Sequence, residues 1–343
     1  MKIKHKNIPI FIPHMGCPNM CVFCNQRSIS GKTAFDISKV VDEINAALDT
    51  IDPTCEVEIA YFGGSFTGID RSLMIKLLDI AESFVTRACD GRAKITGIRM
   101  STRPDYINEE ILDILSKYTV SAIELGLQSM DDEVLIATRR GHTANAAEAA
   151  CRLIKERGIY LVGQMMIGLP SSNLEKEIYT ARKIAEMGCD GARIYPTVVF
   201  YDTELACMTE RGEYTPLELD DAVTRSAKVL SEFNASGVDC IRIGLCASDN
   251  LSDESCVLGG ANHSAMGELV IGELYFSKMC EQIEKMSGGS KFKTAEFEIP
   301  TGHTSKLLGQ RGRNRDRLKN IFGIEKIKIT EKNIENIRLI SLS

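Results

Sequence analysis

The first two hundred residues alternate between short apolar, β-branched runs and longer amphipathic stretches. The runs predict strands at residues 8–14, 57–62, 95–101, 122–127, 161–167 and 192–198. The stretches between them predict helices at 37–48, 73–85, 109–117, 144–157 and 175–187. Alternation at this spacing is typical of a parallel sheet with right-handed crossovers. The predicted fold class is therefore α/β. Within it, six consecutive units without a dinucleotide-binding fingerprint favour a (β/α)6 partial TIM barrel over a doubly wound sheet.

The rest of the chain predicts two further parts. Pro216 opens a predicted helix at 217–233, and residues 240–245 are expected to add a short strand. A Ser/Gly linker at 286–290 marks the best domain boundary. After it we expect a strand at 294–299, a helix, a Gly-Gln-Arg-Gly loop, a helix at 313–321 and strands near 326–329 and 337–340. We therefore predict a partial barrel over 1–215, a helical extension over 216–288 and a small α+β domain over 289–343.

The charge is distributed unevenly between these parts. The chain has a net charge of −6, yet residues 291–343 carry 12 Lys and Arg against 6 Asp and Glu. The preceding residues therefore carry 29 against 41. An acidic body with a basic end domain predicts that the end domain meets a polyanion. A surface that is simply rich in lysine explains the same counts.

The chain contains 12 cysteines and no recognisable secretion signal. It also lacks an apolar run of the roughly 18 residues that a membrane span requires. We therefore expect a cytoplasmic protein with no membrane partner, in a compartment where cysteines stay reduced. Isolated cysteines are expected to be small apolar residues of the core: Cys55, Cys89, Cys151, Cys189 and Cys280.

Three cysteines lie together in the loop after the first predicted strand, as Cys17-Pro-Asn-Met-Cys21-Val-Phe-Cys24. Three thiolates on one short loop can bind three irons of a cubane cluster and leave the fourth iron without a protein ligand. A closed zinc site would need a fourth ligand, which His14 could supply, although a strand would hold it away from the loop. The spacing therefore predicts a [4Fe–4S] cluster held by these cysteines, which are the candidate metal ligands and catalytic residues.

The C-x3-C-x-aromatic-C pattern, with Phe23 as the aromatic residue, resembles the signature of the radical S-adenosylmethionine (SAM) superfamily. The resemblance implies that SAM chelates the open iron and is cleaved to a 5′-deoxyadenosyl radical when an electron donor such as flavodoxin or ferredoxin reduces the cluster. It also implies SAM contacts at the carboxyl ends of the predicted strands, at Phe23, Gly63, Gly64, Ser65, Glu124, Gln128, Ser129, Gly168 and Arg193. Ser65 stands where many relatives carry an acid.

An ordered series of motifs resembles the radical SAM core of the Elongator catalytic subunit family, which modifies wobble uridine in tRNA. The motifs are residues 101–107, residues 124–129 and Arg140-Gly141-His142-Thr143, and the resemblance covers roughly residues 8–270. Two features depart from that family. It spaces its first two cluster cysteines more widely, and it carries an acetyltransferase domain for which this chain has neither room nor motif. Oxygen-independent coproporphyrinogen oxidases match the last motif less well.

The loop at residues 309–312 resembles the G-x-x-G loop of KH domains, which clamps the backbone of about four nucleotides. The resemblance implies a KH-like domain whose candidate RNA contacts are Gly309, Gln310, Arg311, Gly312, Arg313 and Arg315. We therefore expect tRNA or rRNA as the substrate. Two alternatives stay open: a radical SAM enzyme acting on a small molecule, with an end domain for folding or dimerisation, and a non-catalytic RNA-binding iron–sulfur protein.

Two further sets of residues have open roles. An auxiliary cluster could be held by Cys240, Cys246 and Cys256, with or without Cys207, although their spacing matches no known pattern. His142 and His263 could move protons near the site or could be structural.

Overall fold

The computed structural model describes residues 4–17, 21–25, 35–87, 90–245, 255–288 and 292–343. Its main element is a seven-stranded parallel sheet that forms a partial barrel, with strands in the order β1-β2-β3-β4-β5-β6-β8. These strands are β1 (His5–Phe11), β2 (Glu56–Phe62), β3 (Lys94–Thr102), β4 (Val120–Gln128), β5 (Tyr160–Ile167), β6 (Gly191–Pro196) and β8 (Asp239–Ile243). The predicted α/β partial-barrel class is confirmed, and β8 is the short extra strand expected at 240–245.

Helices follow the strands in regular alternation. Those around the barrel are α1 (Val40–Leu48), α2 (Arg71–Val85), α3 (Glu109–Leu115), α4 (Asp132–Ala137), α5 (Ala144–Glu156), α6 (Leu174–Glu186), α7 (Glu204–Glu210), α8 (Leu219–Ser236) and α9 (Met266–Ser287). Short 3-10 turns occur at Ile37–Lys39, Phe66–Gly68 and Pro104–Tyr106. Six of these helices begin where a polar side chain accepts a first-turn N–H, which fixes their start, including α4 at Asp131 and α7 at Thr203. The other four capping residues are Asp70, Asn108, Thr143 and Asn173. No described helix is both long and apolar enough to cross a bilayer.

Two hydrophobic cores meet along α9. The main core lies between the sheet and its helices and includes Ile59 and Leu161, both fully buried. Val270 on α9 belongs to this core, whereas Met279, about two and a half turns later, belongs to the core of the end domain, with Phe297. Each large apolar side chain buried in this way contributes roughly 1.5–3 kcal/mol. A single helix therefore carries part of both cores and fixes the end domain against the barrel.

The end domain contains α10 (Thr304–Leu308), a 3-10 turn at Gln310–Gly312, α11 (Arg313–Phe322) and three strands. The strands are β10 (Thr294–Pro300), β11 (Lys326–Lys332) and β12 (Arg338–Leu342), in the order β11-β10-β12. β10 pairs in parallel with β11 and antiparallel with β12. The element order strand, helix, G-x-x-G loop, helix, strand, strand is the one that the sequence predicts.

The sequence misplaces some boundaries and misses several short elements. The first strand ends at Phe11 rather than at residue 14, because residues 12–17 turn over the loop that follows β2, and His14 has a φ of +58°. His14 therefore lies in a turn and not on a strand. α8 begins at Leu219, two residues after its expected start. The short elements that were missed are α4, α7 and the antiparallel pair β7 (Val198–Phe200) and β9 (Val257–Gly260). The 22-residue α9 was covered only by the predicted helical extension and was not predicted as a helix of its own.

Candidate active site

The cysteine loop crosses the carboxyl edge of the sheet and is tied down on two sides. On one side, His14 N–H donates to the Gly63 carbonyl (3.0 Å) and Ser65 N–H donates to the Met15 carbonyl (2.9 Å). On the other side, Val22 N–H donates to the Thr138 carbonyl after α4 (3.2 Å). The Val22 carbonyl accepts from the first turn of α7. These main-chain bonds fix the loop between β2 and the α4–α7 side of the barrel.

Glycine is required where the cysteine loop meets the loop after β2. A Cβ on Gly16 would lie 2.2 Å from the Ser65 carbonyl oxygen, and one on Gly64 would lie 2.3 Å from the Met15 carbonyl oxygen. Gly16 and Gly63 also have φ values of +73° and +97°, which side chains disfavour. The two backbones therefore pack directly against each other, and Gly16 is a site residue that the sequence analysis missed.

The cysteines differ in environment. Cys21 is buried, whereas Cys17 and Cys24 are half-buried. Burial raises the pKa of the Cys17 thiol, and the charges of Arg103 and Arg140 act in the opposite direction. Phe23 packs in the apolar cluster that contains Cys21 and Leu169, so it seals the loop against the barrel. As placed, neither these three cysteines nor any other three Cys, His, Asp or Glu side chains in the described ranges are close enough together to hold one metal ion.

Two buried arginines lie beside the cysteine loop. Arg140 donates from Nη1 to Cys21 Sγ (3.3 Å) and from Nη2 to the Gly126 carbonyl. Arg103 is held by both carboxylate oxygens of Asp105, at 2.9 Å each, and its Nη2 donates to the Arg140 carbonyl. Arg103 Nη1 and Arg140 Nε are buried without a hydrogen-bond partner among the described residues. The two arginines therefore place unused donors and positive charge beside the cysteine loop.

Ser65 faces the protein interior. It is fully buried, its hydroxyl lies 2.8 Å from that of Thr102, and it accepts from Arg103 N–H at 3.2 Å. These bonds join the loop after β2 to the end of β3. The Ser65 side chain is therefore engaged within the protein.

Glu124 lies inside the barrel in a buried ionic network. Its Oε1 accepts from Arg193 Nη2 (2.7 Å) and from Arg99 Nη1 (3.1 Å), and its side chain is only 2% exposed. Arg99 Nε also donates to Glu58 (2.7 Å), and Arg193 Nη1 approaches the hydroxyl of Tyr195 at 3.4 Å. The network crosses four strands, so Glu124 and Arg193 have the internal partners that buried charges require.

Gln128 and Gly168 end β4 and β5 with unusual backbone conformations. Gln128 has a φ of +67°, and its buried Oε1 has no partner in the part of the chain that is described. A non-glycine residue in this region carries strain, which is typical of ligand sites. Gly168 has a φ of +79°, and a Cβ there would lie 2.5 Å from Leu217 Cδ1. Ser129 accepts from Asp131 N–H (3.1 Å) and thereby shapes the turn after β4.

The G-x-x-G loop lies against α9. Gly309 has φ +72° and ψ +169°, and Arg311 and Gly312 are left-handed. Gln310 and Arg311 are exposed. The basic residues that follow differ in role: Arg313 pairs with Asp220 (2.9 Å) and the exposed Arg315 pairs with its neighbour Asp316 (3.1 Å).

The remaining candidates from the sequence are scattered. Cys207 is exposed on α7, Cys240 and Cys256 are half-buried, and Cys246 lies outside the described residues. Burial lowers the pKa of His142 to about 4, and His263 Nδ1 accepts from Ala265 N–H at 3.0 Å. Cys55, Cys151 and Cys189 are buried as expected and Cys280 is half-buried, whereas Cys89 lies outside the described residues.

Comparisons with known proteins place this site in a family. The model of the radical SAM superfamily matches residues 11–184, just over half of the chain, and that of the radical SAM C-terminal domain matches residues 189–275. A tRNA uridine(34) acetyltransferase of Methanocaldococcus jannaschii is 28% identical over 64% of this chain and 42% of its own length. Elongator complex protein 3 of Dictyostelium discoideum is 31% identical over 64% of this chain and 46% of its own. The chain thus spans less than half of each of these two relatives.

Among solved structures, Elp3 of Methanocaldococcus infernus with an N-terminal deletion superposes with a TM-score of 0.60 and 20% identity. The match covers 81% of this chain and 68% of that one. Members of the superfamily use a [4Fe–4S] cluster and SAM. The residues present fit both groups, because a three-cysteine loop lies beside unused buried donors of Arg103 and Arg140 and the unpaired Gln128 acceptor. The matched family model, the partial barrel and this loop show that the chain belongs to the radical SAM superfamily.

Proposed function

We propose that this protein cleaves SAM reductively at a [4Fe–4S] cluster and uses the resulting radical to modify a base in tRNA or rRNA. Cys17, Cys21 and Cys24 would hold the cluster, which supplies the electron that breaks a carbon–sulfur bond of SAM. A flavodoxin or ferredoxin would supply that electron in turn. The loop after β1 holds the thiols at the carboxyl edge of the sheet, where barrels of this type carry out their chemistry.

The neighbouring strand ends would bind SAM. Gly63, Gly64 and Ser65 would border SAM where the loop after β2 packs on the cysteine loop, and Phe23 packs in the apolar cluster beside Cys21. At β4 the unpaired Oε1 of Gln128 is an acceptor for a ligand amine or hydroxyl, and Ser129 and Gly168 shape the adjoining turns. We expect Glu124 and Arg193 to bind SAM hydroxyls as a preformed unit, Glu124 accepting and Arg193 donating, since the two groups are already paired inside the barrel.

The observation that carries the RNA assignment is the path of α9. Its first residue, Met266, packs against Gly244 at the carboxyl end of β8, where a Cβ on Gly244 would lie 2.7 Å from Met266 Cβ. Six residues along the same helix, Gly272 contacts the G-x-x-G loop, and a Cβ on Gly272 would lie 3.6 Å from Gly309 Cα. At 1.5 Å per residue, these contacts are about 9 Å apart along the axis. A strand clamped by the loop would therefore pass near the carboxyl end of β8. This end lies on the same edge of the sheet as the cysteine loop, which follows β1 at the other end of the strand order.

The loop has the form that nucleic-acid backbones require. Gly309 and Gly312 leave room for phosphates near main-chain N–H groups, and the exposed Arg311 supplies charge. Arg313 and Arg315 add charge at the start of α11, although Arg313 must exchange its contact with Asp220 to reach a phosphate. Exposed ion pairs of this kind are worth less than about 1 kcal/mol, so the exchange costs little.

The relatives support the choice of tRNA. One of them is named a tRNA uridine(34) acetyltransferase and the other Elongator complex protein 3. Acetyl transfer is not part of the proposal, because the match covers less than half of those proteins. We propose the same division of the chain as the sequence suggests: a barrel over residues 1–215, a helical extension over 216–288 and a KH-like RNA-binding domain over 289–343.

Two measurements on the full-length protein test the proposal. Nucleosides from cells with and without the gene are compared by mass spectrometry, which identifies a missing modification. Purified Gln310→Asp/Arg311→Asp protein is then tested for binding to bulk tRNA and for 5′-deoxyadenosine formation with dithionite and SAM. Aspartate tolerates the left-handed conformation of Arg311, so the fold should survive. We expect tRNA affinity to fall at least tenfold while slow SAM cleavage in the absence of RNA persists.

The control is Lys117→Asp, which lowers the charge by two units, against three in the loop variant, at an exposed position after α3, away from the G-x-x-G loop. It should leave tRNA binding unchanged. Unchanged tRNA binding in the loop variant, together with an unaltered nucleoside profile, would favour a small-molecule substrate. Absence of 5′-deoxyadenosine from the wild-type protein with a full cluster would instead favour a non-catalytic iron–sulfur protein.

A further inference from the structure

Two motifs that mark the resemblance to the Elongator family have no role in the function proposed above. They are the Arg-Pro-Asp sequence that begins at Arg103 and the Arg-Gly-His-Thr sequence that begins at Arg140. In the fold, both arginines meet at the cysteine loop, where Arg103 Nη2 donates to the Arg140 carbonyl. Their guanidinium groups are buried, with residue exposures of 3% and 6%. The resemblance to the Elongator family does not explain why both arginines are buried at the cysteine loop.

Arg140 is a buried cation without a carboxylate partner. It donates to Cys21 Sγ at 3.3 Å and to the Gly126 carbonyl, and its Nε has no partner. Among the described residues, no Asp or Glu forms an ion pair with it. Burying a charge without compensation is costly, so such groups normally face an anion. The thiol of Cys21 is the acidic group nearest to its donor.

Arg103 holds Arg140 in place and adds a second donor. Its own charge is matched by Asp105, which grips it through two hydrogen bonds of 2.9 Å. Its Nη1 nevertheless points to no acceptor within the described ranges. The Arg103–Asp105 pair is therefore nearly neutral, and Arg140 supplies the uncompensated positive charge beside Cys21.

We propose that Arg140 is the counter-charge of the cluster: it donates a hydrogen bond to the Cys21 thiolate and raises the reduction potential of the bound cluster. Arg103 acts as the positioning residue for Arg140. Three thiolates make a [4Fe–4S]2+ centre anionic, and reduction adds a further negative charge. A fixed cation and an N–H···S bond stabilise the reduced form more than the oxidised form. Burial strengthens the effect, because the local dielectric constant is low.

The test is a redox titration of the reconstituted full-length protein, without SAM, followed by the EPR signal of the reduced cluster. At the ambient potential that half-reduces the wild type, we expect Arg140→Gln to lower the ratio of reduced to oxidised cluster about tenfold or more. For a one-electron couple, a tenfold change corresponds to 59 mV. Arg140→Lys, which keeps the charge but loses the two-pronged geometry, should lie between wild type and Arg140→Gln.

The matched control is Arg139→Gln, because Arg139 is the adjacent arginine, its side chain is 64% exposed and its nearest acid is 3.8 Å away. It should titrate as the wild type does. A wild-type midpoint in Arg140→Gln with a full iron content would overturn the proposal. The same holds if the midpoint without SAM is unchanged and only SAM affinity falls, since Arg140 would then serve the SAM carboxylate.

Loss of iron from Arg140→Gln with an unchanged melting temperature also supports the proposal, because the counter-charge would then be needed to hold the cluster. If that variant instead melts at a lower temperature, Arg140→Lys decides. A reduction potential of Arg140→Lys below that of the wild type supports the proposed hydrogen bond to Cys21. A reduction potential equal to that of the wild type overturns that hydrogen bond.

Discussion

Asn314 joins the end domain to the barrel through the main chain of Gly272. Its Nδ2 donates to the Gly272 carbonyl on α9 (2.8 Å) and to the Leu307 carbonyl on α10 (2.9 Å), and the residue is 2% exposed. The same side chain lies under Gly309, where a Cβ would be 3.0 Å from Asn314 Cγ. One amide therefore ties together a core helix, the helix before the G-x-x-G loop and the first glycine of that loop.

Replacing Asn314 with alanine should destabilise the protein. The change leaves two buried carbonyl oxygens with fewer donors and opens space under Gly309, which costs about 2 kcal/mol or more. Urea denaturation followed by circular dichroism measures the loss. Asn320→Ala on the exposed side of the same helix is the control and should change stability by less than about 0.5 kcal/mol. Equal stability of the two variants would mean that Asn314 is dispensable for docking.

The alternating part of the fold could be predicted from the sequence because its signal is local. Each strand and long helix carries its own hydrophobic period, and all six predicted barrel strands are present. α4 and α7 were missed because six or seven residues are too few to display a helical period. The end of β1 depends on a different cause. Residues 12–17 turn where they dock on the loop after β2, which is a tertiary effect.

The residues of the site also differ in whether a local sequence pattern can predict them. Cys17, Cys21 and Cys24 are recognisable because cluster ligands on one loop are close in sequence. The contact between Arg140 and Cys21 joins residues 119 positions apart, so no local pattern reveals it. The arginines of α11 look equivalent in the sequence, yet Arg317 packs over the Phe276 ring at 3.6 Å and pairs with Glu273. Such differences in role arise only from packing.

Glu124→Gln should be strongly destabilising. The change removes the charge that balances Arg99 and Arg193 inside the barrel, and removing one partner of a buried ion pair costs about 3–5 kcal/mol. Differential scanning calorimetry of the cluster-free protein should therefore show a large fall in melting temperature. The control is Glu148→Gln, in which an exposed carboxylate 3.8 Å from Lys183 is replaced and little stability is lost. A small effect at Glu124 would show that water or the remaining carboxylate of Glu58 compensates.

His142 should make the protein less stable in mild acid. Burial lowers the pKa of His142 from 6.5 to about 4, and the charges of Arg140 and Arg103 act in the same direction. The Thr143 carbonyl and Asp105 oppose this shift more weakly. The unfolded chain therefore binds a proton between pH 6.5 and 4 that the folded chain does not, and stability falls as the pH is lowered through this window. The expected loss between pH 7.5 and 5 is about 2 kcal/mol.

Urea denaturation of wild type and His142→Gln at several pH values isolates this contribution, because other titrating groups affect both proteins. The difference in unfolding free energy between the two should change by about 2 kcal/mol over the same interval. Parallel pH profiles would mean that His142 is protonated equally in the folded and unfolded states.

Gly16→Ala should prevent the cysteine loop from packing against the loop after β2. The new methyl group would lie 2.2 Å from the Ser65 carbonyl oxygen and 2.8 Å from Gly68 C, both main-chain atoms that cannot rotate away. The loop must shift, and Cys17 moves with it. Iron and sulfide analysis after anaerobic reconstitution should find far less than the about four irons per chain of the wild type. Gly212→Ala has nearly the same φ, +72°, with no atom within 4 Å of the added carbon, so it carries backbone strain alone, about 1 kcal/mol. That control should keep its iron, and a full cluster in Gly16→Ala would show that the loop can bind the cluster without packing on Ser65.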